Sequence, residues 1–141
     1  MTKYNKATIC KTANTLHKRG YSLSQAFVLA WAIAKGTQTN VAGTSKLNRQ
    51  KAIERLTKYQ PGEVKFSLVR ETNNQYDNNA VAVMVSVRNS VPYKLGYIPA
   101  VTAPIVSSIL DNGSSVKADL KAIVGGWADG INYGIKINLH I

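Results

Sequence analysis

Between Leu68 and Val83 the chain reads Leu-Val-Arg-Glu-Thr-Asn-Asn-Gln-Tyr-Asp-Asn-Asn-Ala-Val-Ala-Val. Strand-forming residues lead into a run of polar side chains around one tyrosine, Tyr76, and strand-forming residues resume. Asparagine and aspartate tolerate left-handed backbone and hydrogen-bond their own main chain, which predicts a tight loop that caps itself. The same residues concentrate donors, acceptors and an aromatic face. That mixture suits a polar ligand such as a nucleotide terminus.

Other chemistry is thin. His17 and His140 are far apart in sequence, and neither has a serine or cysteine placed to act with it. Cys10 is the only cysteine, so it has no intrachain disulfide partner, and it is expected to be a small core residue. A metal nuclease needs clustered carboxylates. The acids are Glu54, Glu63, Glu71, Asp77, Asp111, Asp119 and Asp129. Asp119-Leu120-Lys121 imitates the Asp-x-Lys half of a nuclease motif, with Asp111 as a partner acid, but alternating strands produce such triplets by chance. Gly125-Gly126 is not followed by Gly-Lys-Ser/Thr, so there is no phosphate-binding P-loop. The expectation is a binding module and not an enzyme, with no cofactor and no metal.

Charge points to the class of partner. The net charge is +11 although only 18% of residues are charged, so the excess comes from missing acids. Residues 1–58 hold eleven Lys and Arg against Glu54 alone, whereas residues 59–141 hold seven against six acids. Such asymmetry suggests a half facing a polyanion and a nearly neutral half, the alternative being a solvated basic face with no specific partner. The apolar stretches are too short for a membrane helix. No apolar segment follows the polar start Met1–Lys6, so no signal peptide is expected and the protein reads as cytoplasmic.

The elements that must position the loop follow from periodicity. Ile9, Ala13 and Leu16 predict a helix over 6–19, ended by Gly20. Ser22 and Gln25 form a capping box for a second helix over 23–35, with Phe27, Ala30, Trp31 and Ala34 as its apolar positions and Gly36 as its close. This basic hairpin, 1–36, is one unit and 37–141 the other. In the second unit, 37–45 reads as a short strand or loop, 49–56 as a short helix, and Pro61-Gly62 as a turn. Val64, Phe66 and Leu68 alternate on a strand, with an irregularity expected before Arg70. Val81, Val83, Val85 and Val87 share one face, and Ile135, Ile137, Leu139 and Ile141 alternate on the last strand. Val101, Ile105 and Ile109 carry helical spacing behind Thr102 as N-cap, and Asp111-Asn112-Gly113 stops that helix. The fold class is α+β: a two-helix hairpin followed by a small antiparallel β-barrel.

Arg70-Glu71-x-x-Asn74-x-Tyr76-Asp77-x-Asn79-Ala80-Val81-x-Val83, then Leu95-Gly96-Tyr97-Ile98-Pro99 and Ile109-Leu110-Asp111, resembles the HIRAN domain over about residues 38–141. The resemblance implies an OB-like barrel that binds single-stranded DNA, with a pocket for a 3′-hydroxyl end. It places Asn74, Tyr76 and Asp77 in that pocket. Asp77 would accept a hydrogen bond from the terminal hydroxyl, which an internal phosphodiester cannot offer. Asn74 would bond a base edge or the backbone, Tyr76 would stack or brace the loop, and Tyr97 would line the pocket. Lys46 and Arg49 complete the candidate set, with Trp127 reaching in from the glycine-rich loop 125–130 or folding back over the barrel end. End-binding members carry an arginine and aromatics on the first strand, where this chain has Thr44, Ser45 and Lys46. They are often basic or polar where it has Ala100. Trp127, Tyr133 and Tyr93 are the candidate aromatics to replace the missing stack. Two functions follow: single-stranded DNA binding in bacterial or phage DNA metabolism, or a phage-type inhibitor of a host nucleoprotein enzyme such as a CRISPR effector, anchored through Phe27 or Trp31 on the hairpin.

Overall fold

Two side-chain oxygens start the helical hairpin. Asn5 Oδ1 accepts from the Thr8 N–H at 3.1 Å and opens α1 (Lys6–Lys18). Ser22 Oγ accepts from the Gln25 N–H at 3.1 Å and opens α2 (Leu23–Lys35). The Gln25 carbonyl takes the Ser22 hydroxyl instead of its main-chain N–H, so only half of the capping box forms. Gly20, at φ +111°, turns the chain between the helices. This computed structural model describes residues 4–46, 48–88, 90–128 and 130–141, so Met1–Lys3 and Asp129 lie outside the described residues.

Ile9, Ala13 and Leu16 of α1 pack on Ala26 and Ala30 of α2. The inner face of α2 differs from the expected one. Ala26, Ala30 and Ile33 are buried, whereas Phe27, Trp31 and Ala34 are only half-buried. The helix packs against two bodies at once, and Ile33 belongs to the barrel core. Cys10 is exposed, because it lies one position beyond the Ile9 stripe and faces solvent.

The rest is β1 (Thr37–Asn40), α3 (Arg49–Leu56), a 3-10 turn at Pro61–Glu63, β2 (Val64–Arg70), β3 (Val81–Val87), β4 (Tyr93–Tyr97), α4 (Ala103–Asp111), β5 (Lys117–Val124) and β6 (Gly134–His140). The strands form two antiparallel sheets, ordered β1-β6-β5 and β2-β3-β4. Their inner faces share one core of Val81, Val83, Val85 and Leu95 against Ile135, Ile137 and Leu139, with Ile53 from α3 and Val106 and Ile109 from α4.

One bridge joins the sheets into an open, OB-like barrel. Just past β1, the Ala42 N–H donates to the Tyr97 carbonyl at 2.8 Å, and the Tyr97 N–H donates to the Ala42 carbonyl at 2.9 Å. On the opposite side no ladder joins β2 to β5 among the described residues. β2 runs without irregularity to Arg70, which therefore shares a face with Val64, Phe66 and Leu68. The register shifts lie elsewhere, between Val83 and Met84 in the β3–β4 pair and between Leu120 and Ala122 in the β5–β6 pair. α4 starts at Ala103, and Thr102 makes no side-chain cap. Val101 is exposed before the first turn, so Ala103, Val106 and Ile109 form the buried stripe. No helix among the described residues is long and apolar enough to cross a membrane.

Candidate nucleic-acid interface

The loop between β2 and β3 is built by its own side chains. Asn74 Oδ1 accepts from the N–H groups of Tyr76 (2.8 Å) and Asp77 (3.1 Å), and Asp77 Oδ1 accepts from the Asn79 N–H (2.8 Å). These are the local side-chain-to-backbone bonds that asparagine and aspartate favour. Arg70 closes the root of the loop. Its guanidinium donates to the carbonyls of Glu71 (3.0 Å), Ala80 (3.1 Å) and Asn78 (2.7 Å), and through Nε to Asp111 Oδ1 (3.1 Å). Asp111 also meets Arg19 of the hairpin at 3.6 Å.

Behind the loop lies a polar cluster. Glu71 accepts from Lys94 Nζ (2.5 Å), the Tyr97 hydroxyl (3.0 Å) and Asn74 Nδ2 (3.1 Å). The Lys94 ammonium, with the amide and hydroxyl donors, holds the Glu71 carboxyl below the ordinary 4.5 despite partial burial, and Glu71 holds Lys94 above 10.5. A depressed carboxylate contributes stability that is lost as pH falls through its folded value. A raised lysine contributes stability that is lost as pH rises through its own. The pair is therefore at full strength between 4.5 and 10.5. In thermal melts, Glu71→Gln is expected to sit below wild type by a constant gap across that window, and the gap should narrow on acidification. A gap independent of pH would contradict this pairing.

Opposite the loop, Arg49 is buried, donates to the Gly43 carbonyl at 2.8 Å, and sets its guanidinium 5.9 Å from the Tyr97 ring centre. Lys94 lies 5.2 Å from the same ring. Cations over an aromatic face hold that face in place. Ala42, Gly43, Lys46, Arg49, Glu71 and loop residues 73–77, with Tyr97, Ile98 and Ala100, line one cleft of about 840 Å³.

Six of the candidate residues thus meet: Lys46, Arg49, Asn74, Tyr76, Asp77 and Tyr97. Their parts differ. The Asn74 oxygen is spent on the loop backbone, which makes Asn74 a brace. Tyr76 is 90% exposed and its ring braces nothing. Asp77 spends one oxygen on Asn79, and no hydrogen bond among the described residues occupies the other. Trp127 is not among the cleft's lining residues; it is 79% exposed on the β5–β6 loop, so it is not folded back over the barrel. That loop is clamped at its base by Gln50, whose carboxamide pairs with both main-chain groups of Tyr133 (2.7 and 2.9 Å). The Tyr133 ring is covered by the Gly126 backbone, and Tyr93 lines a different cleft.

Arg70, Glu71 and Lys94 shape the site and were absent from the candidate set. Arg70 and Glu71 open the motif that carried the resemblance, which was the available signal. Lys94 stands three residues before Tyr97 with nothing in its neighbours to single it out. The acids of the imitation nuclease motif are committed elsewhere, Asp111 to Arg70 and Arg19, and Asp119 to His140 at 2.7 Å. No three His, Cys, Asp or Glu among the described residues cluster as metal ligands would.

A family model described as the HIRAN domain matches residues 35–136. Among solved structures, a crystal structure of a protein from Lactobacillus plantarum aligns with TM-score 0.50 and 21% identity, over 75% of this chain and 95% of that one. At that identity the likeness is one of fold. No curated protein matches the chain.

Proposed function

The chain belongs to the HIRAN domain family, and from that premise we propose that it is a nucleic-acid-binding module that holds the 3′-hydroxyl end of single-stranded DNA in the cleft beside Asp77. The family suggests nucleic-acid binding. The end preference rests on one observation: an exposed tyrosine ring and a carboxylate oxygen without a partner among the described residues project from the same self-braced loop. A terminal hydroxyl donates to that oxygen. A 3′-phosphate brings negative charge against it and is rejected. Tyr76 offers the stacking face for which the first strand has no aromatic, and Arg49 and Lys46 face the phosphates. The protein acts by binding, with no chemistry of its own.

The test is a titration of Asp77→Asn against matched oligonucleotides ending in 3′-hydroxyl or 3′-phosphate. Asparagine keeps an oxygen for the Asn79 N–H and replaces the free oxygen by a donor. Wild type should prefer the hydroxyl end by about tenfold or more, the worth of one hydrogen bond to a charged group. The variant should lose that ratio while keeping its stability. Affinity for either end should fall with salt, with a slope near −0.7 for each phosphate contacted. An unchanged ratio in Asp77→Asn would remove Asp77 from the site.

A further inference from the structure

We propose that the cleft between α3 and the β3–β4 hairpin is a second nucleotide subsite, occupied by the same DNA strand a few nucleotides upstream of its end. This rests on the end-binding reading above. The cleft has a volume of about 380 Å³, within the range of about 300–1,000 Å³ typical of small-ligand sites. Asn48, Arg55, Tyr59, Val91 and Tyr93 line it.

Tyr93, Val91, Asn48 and Arg55 are exposed around this cleft, and Tyr59 is half-buried in its wall. Tyr93 is 41% exposed and Val91 is 88% exposed, on an edge strand and the turn before it. Tyr59 already carries a cation, with the Arg88 guanidinium 5.3 Å from its ring centre. Asn48 holds the N-cap position of α3 but makes no capping bond, and its exposed carboxamide has no hydrogen bond among the described residues where an asparagine ordinarily spends it on a cap. Arg55 is exposed and makes no ion pair among the described residues. The nearby carboxylate of Glu63 is taken by Arg88 at 3.2 Å.

Position connects the two clefts. Arg49 at the start of α3 lines the first, and Asn48, Ala52 and Arg55 line the second, so one helix of eight residues separates them. Along its outer side Lys51 and Arg55 stand at i and i+4, and Lys58 follows in the turn after the helix, all exposed. Aromatic faces beside a track of cations are how single strands are held without reading their sequence. A strand end in the first cleft that continues over α3 meets this track and then the tyrosines.

The experiment compares a dinucleotide with an octanucleotide, both ending in 3′-hydroxyl, on wild type, Tyr93→Ala, Tyr93→Phe and Arg55→Ala. Wild type should bind the octanucleotide about tenfold more tightly than a dinucleotide that fills only the first cleft, the scale of one stacked base. Tyr93→Ala and Arg55→Ala should lose most of that gain and keep dinucleotide affinity, which also reports that they fold. Tyr93→Phe keeps the ring and should keep the gain. A gain unchanged in both alanine variants overturns the second subsite and leaves the end pocket standing. Failure of wild type to bind either oligonucleotide overturns both.

Discussion

Arg70→Met is expected to unfold about 10 °C below wild type and to bind DNA ends no better than other DNA. Four hydrogen bonds leave with the guanidinium: three to carbonyls around the loop root and one to Asp111. The Arg70 side chain is only 16% exposed, so those carbonyls lose a partner that water replaces poorly. Losing several hydrogen bonds from one charged donor costs about 3 kcal/mol, which in a chain of this size gives roughly that melting shift. The loop that carries Tyr76 and Asp77 then has its internal turns but no attachment. Arg70→Lys should fare little better, because a lysine cannot reach three carbonyls and a carboxylate with one ammonium. A melting point and end preference matching wild type in either variant would show that the loop is held from elsewhere.

Gly96→Ala is expected to cost at least about 3 kcal/mol, at the upper end of what overpacking usually costs. A Cβ on residue 96 would sit inside contact distance of the Ala42 carbonyl oxygen and press on the Val41 side chain. The obstacle is backbone, and that carbonyl is half of the bridge that joins the two sheets among the described residues. Gly62, in the turn before β2, provides the control: a Cβ there meets nothing, so Gly62→Ala should be close to neutral. Chemical denaturation of both variants measures the contrast. Equal stabilities would mean that the sheets do not depend on the Ala42–Tyr97 bridge.

These two residues also show what was legible beforehand. The loop was readable because its bonds span two or three residues, and short-range asparagine chemistry is written in adjacent letters. Arg70 belonged to the same motif, yet its place on the core-side face was misjudged. Its charge argued for an outward position, whereas the carbonyls that satisfy it arrive from the far end of the loop. Gly96 was noticed as part of Gly-Tyr-Ile-Pro, but the strand that crosses it lies more than fifty residues earlier, and nothing local announces a crossing. The inner face of α2 differs from the single stripe its sequence predicts because the helix serves two cores. Val101 kept the helical period but fell before the first turn. Trp127 stood beyond this kind of reasoning: an exposed loop side chain obeys no period, and only the fold says what it faces.

Under the proposed function, Lys51 and Arg55, the exposed cations of α3, lie beside the cleft for the DNA end, while that cleft balances Lys46 and Arg49 against Glu71 and Asp77. That separation has a kinetic meaning. Long-range attraction acts before contact and depends on the summed field, so the helix sets how often a strand arrives. Discrimination between ends depends on short contacts made after arrival, so it resides in how long each end stays. Raising the salt should therefore slow association for both ends alike, and the ratio of their residence times should hardly change.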